Sequence, residues 1–124
     1  MKTQQLFLFL GSLLSGLSVA IGAFGAHGLR KILEVSNRMD TFETGVKYQM
    51  YHSIGLLFLG LLMYKMESPL LNYAGYAMIT GIFIFSGSLY ILCLTGVTKW
   101  GAVTPIGGLF FLIAWGLLCI SFLK

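Results

Sequence analysis

The sequence predicts an all-α integral membrane protein: four transmembrane helices in an up-down-up-down bundle, forming one domain over residues 1–124. Three observations predict it. Only 10% of the residues are charged while 57% are hydrophobic; an average soluble domain carries about 25% charged residues. The charges are confined so that Thr3–Leu29, Tyr48–Tyr64, Ser68–Thr98 and Trp100–Leu123 contain none, stretches of 27, 17, 31 and 24 residues. Segments such as Leu6–Leu10 and Ile54–Met63 are apolar on both sides, unlike the period-two pattern of a barrel strand. Backbone in hydrocarbon must satisfy its own hydrogen bonds, which leaves helices or a closed barrel. The helix wins. Disorder, collagen, a coiled coil and an ordinary soluble enzyme are disfavoured by the same composition.

A helix crossing the hydrocarbon needs roughly 20 apolar residues, which places spans near 5–26, 48–64, 71–95 and 103–123. The first begins like a secretory signal, with Lys2, the apolar run Leu6–Leu14 and Ser18-Val19-Ala20 as a cleavage-like site. The apolar run continues to Ala26 and three more hydrophobic segments follow, so retention as a span is expected. No Cys lies near that site to make a lipoprotein anchor, and Cys93 and Cys119 fall inside spans as small packing residues. Leu29, Ile32 and Leu33 beside Arg30, Lys31 and Glu34 suit a short interfacial helix. Asn37 with Asp40 three residues on reads as a helix start. Met39, Phe42, Val46 and Met50 then recur at helical spacing. The second long helix is thus expected to start near Arg38, outside the membrane, and to run to Tyr64, with Lys47 snorkelling. Met66–Leu70 and Gly96–Pro105 are tight connections that force antiparallel neighbours.

Four spans put both termini on one side, with Lys2, Lys65 and Lys124; the other side carries Arg30, Lys31, Arg38, Lys47 and Lys99. Five against three favours a cytoplasmic loop 28–47 and outside termini. The net charge of +4 is what oriented membrane helices carry, and no nucleic-acid partner is needed to explain it. The expected partners are the lipid bilayer, another copy of the chain or another membrane protein.

Gly11, Ser15, Ser18, Gly22 and Gly25 form a stripe of small residues on the first span. Such stripes let helices approach closely in lipid, and packing is preferred to a conduction path. Gly55, Gly81, Gly87, Gly107, Gly108 and Gly116 offer similar approaches. His27 and His52 are expected at one membrane face, and Tyr48, Gln49 and His52 share a helix face. With Asp40 or Glu43 the two histidines have the chemistry to bind zinc, but no ligand spacing supports it. No metal and no cofactor are expected. Ser86 and Tyr90 are four apart and Ser88 lies between them; serines in hydrocarbon bond across helices, and a nucleophilic serine would need His27 or His52 as base. Tyr90, Lys99 and Trp100 read as interfacial anchors. The polar cluster His27, Tyr48, Gln49, His52, Ser86, Ser88 and Tyr90 is the candidate binding site, with a hydrogen-bonded clasp preferred to a ligand site. No catalytic residue is assigned.

Four ordered motifs carry a family resemblance. They are Gly22-Ala23-Phe24-Gly25-Ala26-His27-Gly28-Leu29, Tyr48-Gln49-Met50-Tyr51-His52, Phe85-Ser86-Gly87-Ser88-Leu89-Tyr90 and Thr104-Pro105-Ile106-Gly107-Gly108. Together they resemble the small bacterial membrane proteins of the YgdD/YwdK type, a family of unknown function with mitochondrial relatives. The resemblance spans essentially the whole chain and implies a four-helix multipass protein of the bacterial cell (inner) membrane. It brings no activity, cofactor or catalytic residue with it.

Three classes of function follow. A structural or accessory protein, not an enzyme, is preferred, because small-residue stripes abound and no charge falls within a span. A small transporter or channel is the alternative, weakened because Glu34, Asp40, Glu43 and Glu67 all lie outside the spans. The third is a ligand- or metal-binding protein using the His27/His52 face.

Overall fold

The computed structural model describes residues 1–123, so the positive charge counted at Lys124 lies outside the described residues. The described chain is helical throughout: α1 (Thr3–His27), α2 (Arg30–Val35), α3 (Met39–Leu62), α4 (Pro69–Thr95), a 3-10 helix (Thr98–Ala102) and α5 (Thr104–Ser121). Local chemistry sets several of these ends. Ser68 caps α4 by accepting from the Leu70 amide, and Pro69 follows at the first helical position. Gly96, at φ 72°, ends α4 and donates its N–H to the Leu92 carbonyl.

Asn37 has a different role from the helix start expected of it. Arg38 precedes α3 with no side-chain cap, and Asn37 stands at φ 58° behind α2. The Arg38 amide donates to the Leu33 carbonyl and the Asn37 amide to the Glu34 carbonyl. These paired bonds close α2 as a Schellman motif, whose left-handed position tolerates Asn.

Three segments are long and apolar enough to cross a membrane: α1, α4, and Thr98–Ser121. The expected second span, 48–64, falls on α3 except for its last two residues, since α3 ends at Leu62, and α3 does not reach that apolarity. Lys47, Gln49, His52 and Ser53 dilute its middle. The last three are buried, facing other helices.

α3 packs between α1 and α4, and α5 packs on α4. The small-residue stripe of α1 meets α3 in antiparallel register. A Cβ at Gly11 would stand 2.9 Å from the Ser53 carbonyl, one at Gly22 would stand 3.2 Å from Val46, and Gly25 backs onto the Phe42 ring. The seam continues where Gly60 backs onto Leu8. Elsewhere Gly75 yields its side-chain space to Phe7, Gly81 to Phe111, and Gly107 to the backbone of Phe85. Gly87 and Gly116 mark no close approach, since a Cβ at either would meet nothing within 4 Å.

Buried apolar side chains gather at three levels: Phe7, Leu56, Leu59, Leu71 and Met78 near the amino-terminal end of α1, Leu14, Ile82 and Phe111 midway, and Leu33, Phe42 and Cys93 beneath α2. Cys93 packs as expected, whereas Cys119 is exposed. The outer surface shows Leu17, Phe83, Leu94, Leu112 and Phe122, which suits contact with hydrocarbon.

Candidate functional site

Helical spacing places Gly45, Gln49, His52 and Ser53 on the side of α3 that faces its neighbours, and all four are buried. Gln49 is the hub. Its Nε2 donates to the Leu14 carbonyl of α1 at 2.8 Å, and its Oε1 accepts from the Tyr90 hydroxyl of α4 at 2.6 Å. One turn away, Ser86 Oγ donates to the Gly45 carbonyl at 2.6 Å. Gly45 and Gln49 on one helix and Ser86 and Tyr90 on the other are each four apart, but the helices run antiparallel and Gly45 lies beside Tyr90, so the two bonds cross between α3 and α4. Gly45 has to lack a side chain here, because a Cβ would lie 2.9 Å from the Tyr90 ring.

His52 makes a second node, toward α5. Its Nδ1 lies 2.7 Å from the Tyr48 carbonyl, and Trp115 Nε1 donates to its Nε2 at 3.0 Å. A carbonyl can only accept, so Nδ1 carries the hydrogen and Nε2 offers its lone pair; these contacts define one neutral tautomer. The ring stacks on Phe111, with centroids 3.5 Å apart and planes at 7°. Tyr48 stacks on Phe85 at 4.6 Å and extends the aromatic column. Both imidazole nitrogens are engaged, so metal ligation would require breaking one of these bonds. Ser88 bonds to the Thr104 hydroxyl at the start of α5, and Ser53 Oγ donates to the Gln49 carbonyl of its own helix.

The structure brings together Gln49, Ser86 and Tyr90, places Tyr48 with His52, and sets Ser88 apart against α5. It does not bring in His27, which is exposed at the last residue of α1. His52 lies thirteen residues beyond Met39, about 20 Å along α3 at ~1.5 Å per residue. It is therefore level with the Gly11 region of α1 and not with a membrane face. The expected pairing of the two histidines fails because α3 starts near His27 and carries His52 into the bundle. The zinc set loses its geometry with it: among the described residues no three His, Cys, Asp or Glu side chains converge. The clasp is thus not at the ends of the first three helices. Tyr90, expected as an interfacial anchor, turns inward to Gln49.

Trp115 and Phe111 belong to the network and were not singled out from the sequence, nor were the carbonyls of Leu14 and Gly45; Thr104 was named only as the first residue of the fourth motif. Two buried hydroxyls, Ser15 Oγ and Ser18 Oγ, have no hydrogen-bond partner. For Ser18 the cause is visible. Its usual acceptor would be the carbonyl four residues back, that of Leu14, which already receives Gln49 Nε2 in addition to its helical amide.

Residues 21–108 match the model of a family described as a protein of unknown function, DUF423. A UPF0382 membrane protein of Staphylococcus haemolyticus is 47% identical over 121 residues, 98% of each chain. The chain belongs to this family. The UPF0382 membrane protein YwdK of Bacillus subtilis is 40% identical over 122 residues, again 98% of each chain. A relative in Staphylococcus saprophyticus is 42% identical over 121 residues, 98% of this chain and 99% of its own. No solved structure matches. The DUF423 match begins inside α1 and ends inside α5. It thus contains both α3–α4 bonds and His52, but neither Leu14 nor Trp115. With three helices apolar enough to span and these membrane-protein relatives, the chain is a membrane protein of a kind found in bacteria.

Proposed function

We propose that this UPF0382 protein is a non-enzymatic scaffold crossing the bacterial cell membrane four times, working through its contacts with lipid, with another copy or with another membrane protein. One observation carries the reading: apart from the exposed His27 and the Tyr48 hydroxyl, the polar groups of the candidate site are spent on other parts of the bundle. Gln49, Ser86, Ser88 and Tyr90 each bond across helices, and both nitrogens of His52 are taken. Such groups bind the helices to one another and leave no free base beside a nucleophile.

Packing supports α3 as the fourth span. It lies against α1 from Gly25–Phe42 at one end to Leu8–Gly60 at the other, so α3 must occupy the depth that α1 occupies. Its 24 residues extend about 36 Å, more than the ~30 Å hydrocarbon core. Basic residues concentrated around α2 favour that end in the cytoplasm, with both termini outside.

Reporter fusions within residues 30–38 and at each terminus test this. A cytoplasmic loop with both termini outside is expected. Termini on opposite sides would overturn the four-span reading, and a cytoplasmic carboxyl terminus with an outside loop would reverse the orientation.

A further inference from the structure

On the α2 side of the bundle a groove runs between α1 and α4, with Phe42 and Gln49 of α3 in its floor. Its wider part, about 500 Å³, is lined by Phe24, Leu29, Phe42 and Leu94 among others. A narrower part of about 180 Å³ continues it toward Leu14 and Ile82 past Gly87, and the two share Ile21 and Tyr90. The groove opens sideways, where the hydrocarbon lies.

Its length and its mouth identify the occupant. Along α1 it runs from Leu14 to Phe24, about 15 Å at ~1.5 Å per residue, which is half of the ~30 Å hydrocarbon core. Leu14 and Ile82 lie near the midpoints of α1 and α4, so the groove occupies one leaflet and ends under α2. A helix docking there would continue past the midpoint, whereas an acyl chain ends at it.

The mouth is basic. Arg30 pairs with Glu34 at 2.8 Å, the one ion pair among the described residues. That leaves Lys31 on α2, Arg38 and Lys99 against Asp40 at this end. The Arg38 carbonyl lies 3.8 Å from Cys93 Sγ, which ties the Arg38 backbone to the last turns of α4. Glu43 is placed elsewhere, with Lys47 in the furrow lined by Gly22 and Gly25.

We propose that the α1–α4 groove holds one acyl chain of an anionic phospholipid, its headgroup phosphate held by the basic side chains around α2. The inference rests on the protein crossing the bilayer along these helices, and it names the lipid class that the scaffold carries.

Gly87 supplies the test. A Cβ there meets nothing within 4 Å, so Gly87→Phe fills the groove without displacing a helix. The full-length protein in detergent is titrated with phosphatidylglycerol or with phosphatidylcholine of the same acyl chains, and bound lipid is counted by native mass spectrometry. Wild type is expected to prefer phosphatidylglycerol, with Lys31→Gln and Arg38→Gln each lowering the preference about fivefold. Gly87→Phe is expected to lose the tightly bound lipid while retaining wild-type helicity and melting temperature. Should Gly87→Phe fold poorly, Leu17→Trp blocks the groove from its exposed α1 wall. Equal binding of the two lipids by wild type would overturn the proposal. So would undiminished phosphatidylglycerol binding by a folded groove-filled variant. A groove-filled variant that dissociates an oligomer with lipid binding unchanged would also overturn it, identifying the groove as an interface between copies. These outcomes leave the four-span topology standing, since reporter fusions read it independently.

Discussion

Replacing Gln49 with Leu tests whether the polar hub stabilises the bundle as its geometry requires. The change keeps side-chain bulk and removes two interhelix bonds, to the Leu14 carbonyl and from the Tyr90 hydroxyl. Interhelix bonds in membrane proteins average about 0.6 kcal/mol, so the pair accounts for roughly 1 kcal/mol. The larger loss falls on what remains. The Leu14 carbonyl keeps its helical amide, but the Tyr90 hydroxyl is left inside the bundle without that acceptor, a penalty of about 1–3 kcal/mol. Gln49→Leu should therefore cost about 2–4 kcal/mol in total. Tyr90→Phe removes the orphaned hydroxyl, so the double variant should recover most of that penalty and lie only about 1–2 kcal/mol below wild type. Reversible unfolding in mixed micelles titrated with sodium dodecyl sulfate, followed by circular dichroism, measures all four corners of the cycle. If the two substitutions add without coupling, the Tyr90–Gln49 bond contributes nothing and the hub reasoning is wrong.

The same assay reads two further consequences. Ser18→Ala removes a buried hydroxyl with no partner and should leave stability unchanged or raise it by up to about 1 kcal/mol; a loss greater than that would reveal a bond to Ser18 Oγ. Gly75→Ala puts a methyl group where the Phe7 ring lies and should cost about 1–3 kcal/mol. Adding Phe7→Leu should return part of the loss, and an unchanged Gly75→Ala protein would show that Phe7 packs elsewhere.

The helices were legible because charge and glycine punctuate the chain. Lys2, the Arg30–Lys47 cluster, Lys65 with Glu67, and Lys99 mark off the apolar stretches, and α2 follows from Leu29, Ile32 and Leu33 among charges. Gln49, Ser86 and Tyr90 were legible as polar residues in apolar surroundings that need partners. Their partners were not, because two of the acceptors are backbone carbonyls, which every residue has. Trp115 and Phe111 escaped for another reason: α5 is apolar on all sides, so no periodicity marks which side turns inward. His52 was misplaced through the assumption that the second span begins at Tyr48. The helix itself was expected from near Arg38, and because its first turns pack against Gly25 at the end of α1, His52 lies inside the bundle while His27 stays at its rim. Asn37 was read forward, into α3, when its left-handed backbone closes the helix behind it.

The inward turn of Gln49, His52 and Ser53 bears on how the protein is made. On the four-span reading, α3 must enter the bilayer carrying polar side chains that hydrocarbon alone would penalise. α1 precedes it through the ribosome, presenting Gly11, Gly22 and Gly25 as a seam and the Leu14 carbonyl as an acceptor before α4 or α5 exists. α3 can therefore insert as the second arm of a helical hairpin, with Gln49 half satisfied at once and its remaining oxygen waiting for Tyr90. His52 waits longer, since Trp115 lies on α5, which follows both α3 and α4. On that reading, assembly of this bundle is ordered from the amino terminus, and each newly inserted helix completes a hydrogen bond that an earlier helix left open.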